Sequence, residues 1–279
     1  MKLSVVIPTH RRPSTLAICL EHLQRQTVVS QMEVIVVGDG HDDNTDRLFA
    51  RHSWSMPVTY FEIDKSQQGA ARNAGVARAS GEFCLFIGDD IFLESDACER
   101  HLQVYASGKP LTAVLGHTTW DPAVGITPVM QWLERSGWQF GYPMISRYAH
   151  DFIPENIQHR FTYTSHISLP LSIAKNTPFR TDVHLYGWED IEWGMRLKSA
   201  GVRLFYERDA RALHHHRVRL EESLHRMEVL GESVMHLNRL IPGFDRVPTG
   251  GKLLVYKIAA LFPTMAGRHR RAFLTGMKK

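Results

Sequence analysis

Three short clusters of side chains and two single residues in this sequence carry enough chemistry to build a reaction centre. Asp89 and Asp90 follow Gly88 directly after the apolar run 83–87. Adjacent carboxylates at a strand end offer hard oxygen ligands to Mg²⁺ or Mn²⁺, although Gly-Asp-Asp also makes a plain turn. Glu189 and Asp190 directly precede Ile191, Trp193 and Leu197, a spacing that puts both carboxylates at a helix N-terminus. There they either cap the helix or, within reach of a hydroxyl, one of them takes its proton; the helix dipole is expected to keep Asp190 ionised. His214, His215 and His216 follow a strand-like segment, so alternation places His214 and His216 on one face. Either can complete a metal site, with a slight preference for His214, and a surface cluster is the alternative in a chain of 16 histidines. Asp39, between Gly38 and Gly40, can accept the imide N–H of uracil, and Arg72 can donate to a phosphate. A loop turn and a solvated helix face are the bland readings of those two residues.

The elements that must position these groups alternate in period through the first half. Residues 5–7, 34–37, 58–63 and 83–87 are β-branched or aromatic runs, each followed by helical spacing. Residues 14–26 place Leu16, Leu20 and Leu23 on one stripe, and 69–79 has strong helix propensity despite Gly75. A βαβ series of this kind predicts an α/β fold, a doubly wound and mostly parallel sheet with helices on both faces. Ligands bind such sheets beyond the carboxyl ends of the strands, where Asp39 and the Asp89-Asp90 pair fall. The second half is less regular. Residues 138–163 hold Trp138, Phe140, Tyr142, Tyr148, Phe152, Phe161 and Tyr163 with little periodicity, which reads as a lid or binding loop. Because sugars stack on aromatic faces, this stretch is the candidate acceptor wall, with a core or oligomer contact the equal alternative. Helices are expected over 189–200 and 220–240 and a strand over 202–206. The resulting division is a catalytic domain over 1–220, with a nucleotide-binding half to 110 and an acceptor-binding half from 111, and a helical, basic extension over 221–279.

Composition narrows the setting. A chain of 279 residues buries a sizeable core without disulfides. Cys19, Cys84 and Cys98 lie in apolar segments without metal-site spacing, which predicts buried thiols in a reducing, cytoplasmic compartment. No signal peptide is expected from residues 2–7, and no apolar run reaches the roughly 18 residues of a membrane span. The net charge of 33 − 29 = +4 does not by itself imply nucleic acid, and none is expected as a partner. The distribution says more, since eight basic residues and no acidic ones lie between Arg246 and Lys279. Leu253, Leu254, Ile258, Leu261 and Phe262 form an apolar stripe there, interrupted by Pro263. Together they predict peripheral docking on an anionic membrane that presents a lipid-linked acceptor; packing back on the catalytic domain is the alternative.

Ordered along the chain, VVIPTHRR (5–12), EVIVVGDGHDDNT (33–45), GAARNAGVARASGEFCLFIGDDI (69–91), GWEDIEWGMRLKSAG (187–201) and the histidine run resemble the family 2 glycosyltransferases over residues 2–220. The resemblance implies a GT-A fold and a nucleotide-sugar donor, UDP-linked by preference, with Mn²⁺ or Mg²⁺ as cofactor. It carries Pro8, Thr9, Arg11, Asp39, Arg72 and Asp89 over to nucleotide binding, and Asp90 to direct metal ligation within an Asp-x-Asp element. That element departs from the family pattern at its first position, which is Gly88. The Glu-Asp pair of such enzymes matches Glu189-Asp190, with Asp190 as base, Glu189 positioning substrate hydroxyls, and inversion by direct displacement onto a saccharide or lipid-linked acceptor.

Two other functions compete. A nucleotidyltransferase forming nucleotide-sugars also sets acidic metal ligands on a doubly wound sheet, but it carries a basic glycine-rich loop after the first strand. Here that position reads Pro8-Thr9-His10-Arg11-Arg12, without glycine. A non-catalytic membrane-surface protein on the same fold would have no use for Asp39, Asp89, Asp90 and Glu189-Asp190.

Overall fold

The first strand, β1 (Leu3–Thr9), is buried along its whole length and shows how the rest is layered. Its odd side chains Leu3, Val5 and Ile7 join Leu16, Leu20 and Leu23 of helix α1 (Pro13–Gln24) in one core. Val6 faces the opposite layer, with Ala71 and Val76 of α3 (Gln68–Arg78). A strand covered on both faces belongs in the middle of a helix-flanked sheet, as its continuous apolar run requires. Gly75 explains its own presence in α3: a Cβ there would lie 2.4 Å from Val6 Cγ1. The helix sits on the sheet at a distance that admits no side chain.

The computed structural model describes residues 2–109, 111–182 and 187–279. β2 (Met32–Asp39), β3 (Val58–Ile63) and β4 (Phe83–Ile87) extend the parallel sheet around β1 in the order β3-β2-β1-β4. Helix α2 (Asp43–Arg51) joins β2 to β3. After the short strand β5 (Ile91–Leu93) and α4 (Ala97–Ala106), the chain adds β6 (Thr112–Trp120), the small helices α5 (Pro128–Ser136) and α6 (Tyr142–Ile145), β7 (Asp151–Phe152) and β8 (His166–Pro170). Then come α7 (Leu171–Asn176), α8 (Glu189–Ser199) and β9 (Arg203–His214). Strand β8 runs antiparallel between β4 and β6, while β6 and β9 pair in parallel. The expected α/β sheet with helices on both faces is present, mixed in direction beyond β4.

Two expectations for the second half change. Residues 138–163 are not a structureless loop: Tyr142, Ile145, Ile153 and Phe161 are buried in the main core with Trp193. Their lack of period reflects short helical turns, each burying one or two rings. The strand expected over 202–206 continues as β9 to His214. Glu207, Arg208 and Asp209 look like a loop in sequence, and they fall where the register with β6 slips between Leu115 and His117. An irregularity of that kind tolerates charged residues that a regular ladder position inside a core does not.

The chain ends in α9 (Leu220–Leu240), α10 (Gly250–Ala259) and α11 (Met265–Gly276). Leu230, Val234, Leu237 and Phe273 form a separate small core with Trp188. The three cysteines are free and buried, as their apolar surroundings predict. Among the described residues no helix is long and apolar enough to cross a membrane.

Candidate active site

The carboxyl ends of β1, β2 and β4 open onto a cleft of about 620 Å³. Its lining includes Pro8, Thr9, Asp39, Arg72, Asp89, Asp90, Glu189, Asp190, His214 and His216, residues as distant as 208 positions in sequence. Arg11 is the one sequence candidate that the fold does not bring there. Its backbone turns left-handed, with φ 54, and the side chain is exposed with its charge acting on Asp42. Its neighbour Arg12 lines the cleft instead.

The two aspartates after β4 differ in their surroundings. Thr9 Oγ1 donates to Asp89 Oδ2 at 2.7 Å, which ties the end of β1 to the end of β4. Burial pushes the Asp89 carboxyl up to about 6, against the pull of Arg12. Burial pushes Asp90 the same way, but the His214 ring and the Arg12 guanidinium overrule it and hold that carboxyl well below the usual range. Asp90 Oδ2 lies 3.7 Å from His214 Nε2 and 3.8 Å from His216 Nδ1. The ligand atoms of these three residues all lie within 4.8 Å of one another. Strand alternation accounts for the pairing: His215 turns away, its ring 2.6 Å from Asp121 Oδ2 while its backbone N–H donates to Asp90 O. One hard oxygen and two imidazole nitrogens form a donor set that suits Mn²⁺ better than Mg²⁺, which prefers oxygen alone. The residues therefore fit a divalent ion.

Arg72 is 3 % exposed, not on a solvated helix face. Nη2 donates to Gln68 Oε1 at 3.1 Å, while Nε and Nη1 are buried without a hydrogen-bond partner. Burial lowers its pKa, and Asp190 and Glu189 partly offset that. Leaving such donors unsatisfied costs about 1–3 kcal/mol each, more for a charged group, unless an anion completes them. Asp39, by contrast, is engaged: Lys65 Nζ donates to Oδ2 and the Ser66 N–H to Oδ1, both at 2.7 Å. A carboxylate has about four lone-pair directions, so it can still accept one more donor.

Asp190 sits in the first turn of α8, but no side chain caps that helix. Its carboxylate is held across the cleft wall by Thr164, whose Oγ1 donates to Oδ1 at 2.6 Å. Thr162 Oγ1 donates to the Asp190 carbonyl at 2.6 Å. Burial first, and then the charge of Glu189, raise its pKa. Glu189 Oε2 accepts the Gly187 N–H at 2.8 Å, in a turn where Gly187 has φ 104. That positive φ favours glycine in the turn before the pair.

One further wall of the cleft was missed in the sequence. Glu222, Ser223, His225, Arg226 and Val229 of α9 line the same cleft, so the helix assigned to an extension belongs to the site. Their positions share one helical face, a periodicity that could have been read from the sequence. Beside the cleft, and sharing Gln139 and Phe140 with it, is a second cavity of about 210 Å³ lined by Trp120, Tyr142, Tyr206 and His117, among others.

Comparison with known proteins bears on the family and the fold. Residues 4–166 match Glycosyl transferase family 2. Validoxylamine A glucosyltransferase from Streptomyces hygroscopicus subsp. jinggangensis is 27% identical over 227 residues, 75% of this chain and 54% of the relative. An uncharacterized glycosyltransferase of Haemophilus influenzae is 36% identical over 104 residues, 37% of this chain and 34% of that protein. The chain thus spans about a third to a half of the length of these curated relatives. Among solved structures, the mannosyltransferase PcManGT of Pyrobaculum calidifontis, in complex with GDP-Man and Mn²⁺, superposes with a TM-score of 0.64 at 17% identity, covering 99% of this chain and 75% of that one. S. aureus TarS 1-349 in complex with UDP gives 0.58 at 17% identity, covering 84% and 66%. With a family match across more than half its length and the fold of solved glycosyltransferases, the chain belongs to glycosyl transferase family 2.

Proposed function

We propose that this protein is an inverting glycosyltransferase that uses Mn²⁺ or Mg²⁺ and moves a sugar from a UDP-sugar to a hydroxyl of a saccharide or lipid-linked saccharide. The observation that carries this reading is that one cleft holds three things at once: a Thr164-anchored carboxylate, an Asp-His-His cluster and a buried guanidinium with unsatisfied donors. In this reading Asp39 accepts from the base and Arg72 donates to a phosphate oxygen, which satisfies its buried N–H groups. Asp90, His214 and His216 would hold the divalent ion, which supplies positive charge where negative charge develops on the departing diphosphate.

Asp190 takes the proton from the acceptor hydroxyl, and its raised pKa makes it a stronger base than a solvated carboxylate. The hydroxyl oxygen bonds to the anomeric carbon as the bond to the diphosphate oxygen breaks, so configuration inverts in one displacement. Glu189, fixed by Gly187, positions sugar hydroxyls. The 210 Å³ aromatic cavity takes the non-reacting unit of the acceptor, with Phe140 as the shared wall. The relatives in complex with UDP and with GDP-Man support a nucleotide-sugar donor.

Docking on an anionic membrane completes the proposal. Helix α10 has no buried residue, and Leu254, Val255, Ile258, Leu261 and Phe262 are 49–77% exposed at and just beyond it. Exposed Lys252 and Lys257 flank them, which matches an acidic lipid surface rather than a neutral one. Not all the basic tail serves this purpose. Arg270 lies over the rings of Trp138 and Tyr256, and Arg271 donates to the Ala260 carbonyl. The reaction is tested by incubating the protein and Mn²⁺ with a panel of UDP-, GDP- and TDP-sugars and a saccharide acceptor, with product anomers read by NMR. Inverted product from a UDP-sugar is expected. Retained configuration, or consumption of a nucleoside triphosphate in place of a nucleotide-sugar, contradicts the proposal.

A further inference from the structure

One carboxylate oxygen in the cleft faces a guanidinium and two imidazole rings. Arg12 Nη1 lies 2.7 Å from Asp90 Oδ2 and 3.4 Å from Asp89 Oδ1. The same Asp90 Oδ2 faces His214 Nε2 and His216 Nδ1, the two nitrogens that would complete a metal site. A divalent ion bonds a carboxylate oxygen at about 2.0–2.2 Å. At that distance it would lie within about 5 Å of Arg12 Nη1, and an arginine cannot shed its charge to relieve the repulsion. The Arg12 side chain is 44% exposed against 13% for Asp90, so of the two it is the arginine that borders solvent. It lines the same cleft as Arg72, and a planar guanidinium that gives up a carboxylate finds an equivalent partner in a phosphate.

We propose that Arg12 is a resident counter-cation of the metal site: a divalent ion displaces it from Asp90, and the nucleotide diphosphate then receives it. This deepens the metal assignment above and rests on it. Metal and nucleotide load cooperatively, because the nucleotide offers the displaced guanidinium a new anion. Linkage requires the effect to be reciprocal, so each ligand raises the affinity of the other by the same factor. Arg72 does not perform this exchange, since it is fixed under the surface beside Gln68 and Phe179.

Mn²⁺ binding to the full chain, followed by the loss of the free-ion EPR signal with and without UDP, tests this without any turnover. Arg12→Gln removes the competing charge, so it should bind Mn²⁺ alone about tenfold more tightly than the wild type. The factor by which UDP improves Mn²⁺ binding should shrink to a similar extent, and Arg12→Lys should behave nearer to the wild type. Unchanged or weaker Mn²⁺ binding in Arg12→Gln, at an unchanged melting temperature, overturns the inference while leaving the metal site standing. Failure of both wild type and variant to bind Mn²⁺, with or without UDP, overturns the metal assignment and this inference together.

Discussion

On the side of the cleft built by β1, β2, α3 and β4, Thr9, Asp39, Arg72 and Asp89 are each at most 5% exposed. Thr9 and Asp89 hold each other, and Asp39 is held by Lys65 and Ser66. On the side built after β9, α9 offers Glu222, His225 and Arg226 to the cleft, and α10 leaves its apolar residues in solvent. The first side is fixed before any ligand arrives, because its groups stand on parallel strands whose both faces are packed. The second is a set of helices joined to the sheet through the small core around Trp188, with polar and apolar groups on their free faces. Pre-organised polar groups suit a demanding, invariant task such as holding a diphosphate. Exposed helix faces suit a task set by the environment, such as meeting an acceptor or a surface.

The sharpest separation of the two sides comes from Asp190, which stands between them. Asp190→Asn removes the base and should lower turnover by about 10³-fold, while nucleotide diphosphate affinity by calorimetry stays near the wild-type value. Near-normal turnover would remove Asp190 from the role of base. The pH profile refines the same point. Burial and Glu189 raise the Asp190 pKa, so activity should fall on the acidic side in a limb displaced upward from the ordinary carboxylate range. Glu189→Gln takes away one cause of that rise and should move the limb to lower pH, whatever happens to its height. A limb that stays in place denies the coupling between the two carboxylates.

A smaller effect is expected within the donor side. His214→Ala and His216→Ala should each raise the Mn²⁺ concentration needed for half-maximal activity, by about tenfold or more, with His214, the less exposed ring, the more sensitive. If neither variant changes that requirement, the histidines are only packing beside Trp120. The smallest effect belongs to the far side. The double variant Ile258→Asp/Leu261→Asp touches exposed residues and should leave soluble activity intact while lowering co-sedimentation with phosphatidylglycerol vesicles severalfold. Equal sedimentation, or binding that ignores salt, would show that α10 is not a membrane-facing surface.

The same division explains what the sequence disclosed. Strands buried on both faces announce themselves as apolar runs, so β1, β2 and β4 were legible, and with them the loops that carry Asp39, Asp89 and Asp90; the half-buried edge strand β3 was legible from its β-branched and aromatic residues. Asp190 and the alternating histidines were legible because local spacing alone sets their direction. Contacts formed between distant segments were not. Nothing around Thr164 marks it as the holder of a carboxylate 26 residues later, and Arg12 meets Asp90 across 78 positions. Arg11 and Arg12 differ only in a left-handed turn, which reverses which of the two neighbours faces the cleft. The aromatic stretch left a binding wall and a core as equal readings for a related reason, since Tyr142 and Phe161 fill a core that short turns, not a periodic helix, bring together.

Calorimetric titration of the full chain with UDP, in Mn²⁺ and again in EDTA, tests the central claim most directly, because it asks whether one cleft binds a nucleotide diphosphate through a cation. Saturable one-to-one binding that weakens by at least about tenfold in EDTA, and that Asp90→Ala reduces to the EDTA level, is the predicted result. Equal UDP affinity with and without Mn²⁺, unchanged in Asp90→Ala, would contradict it.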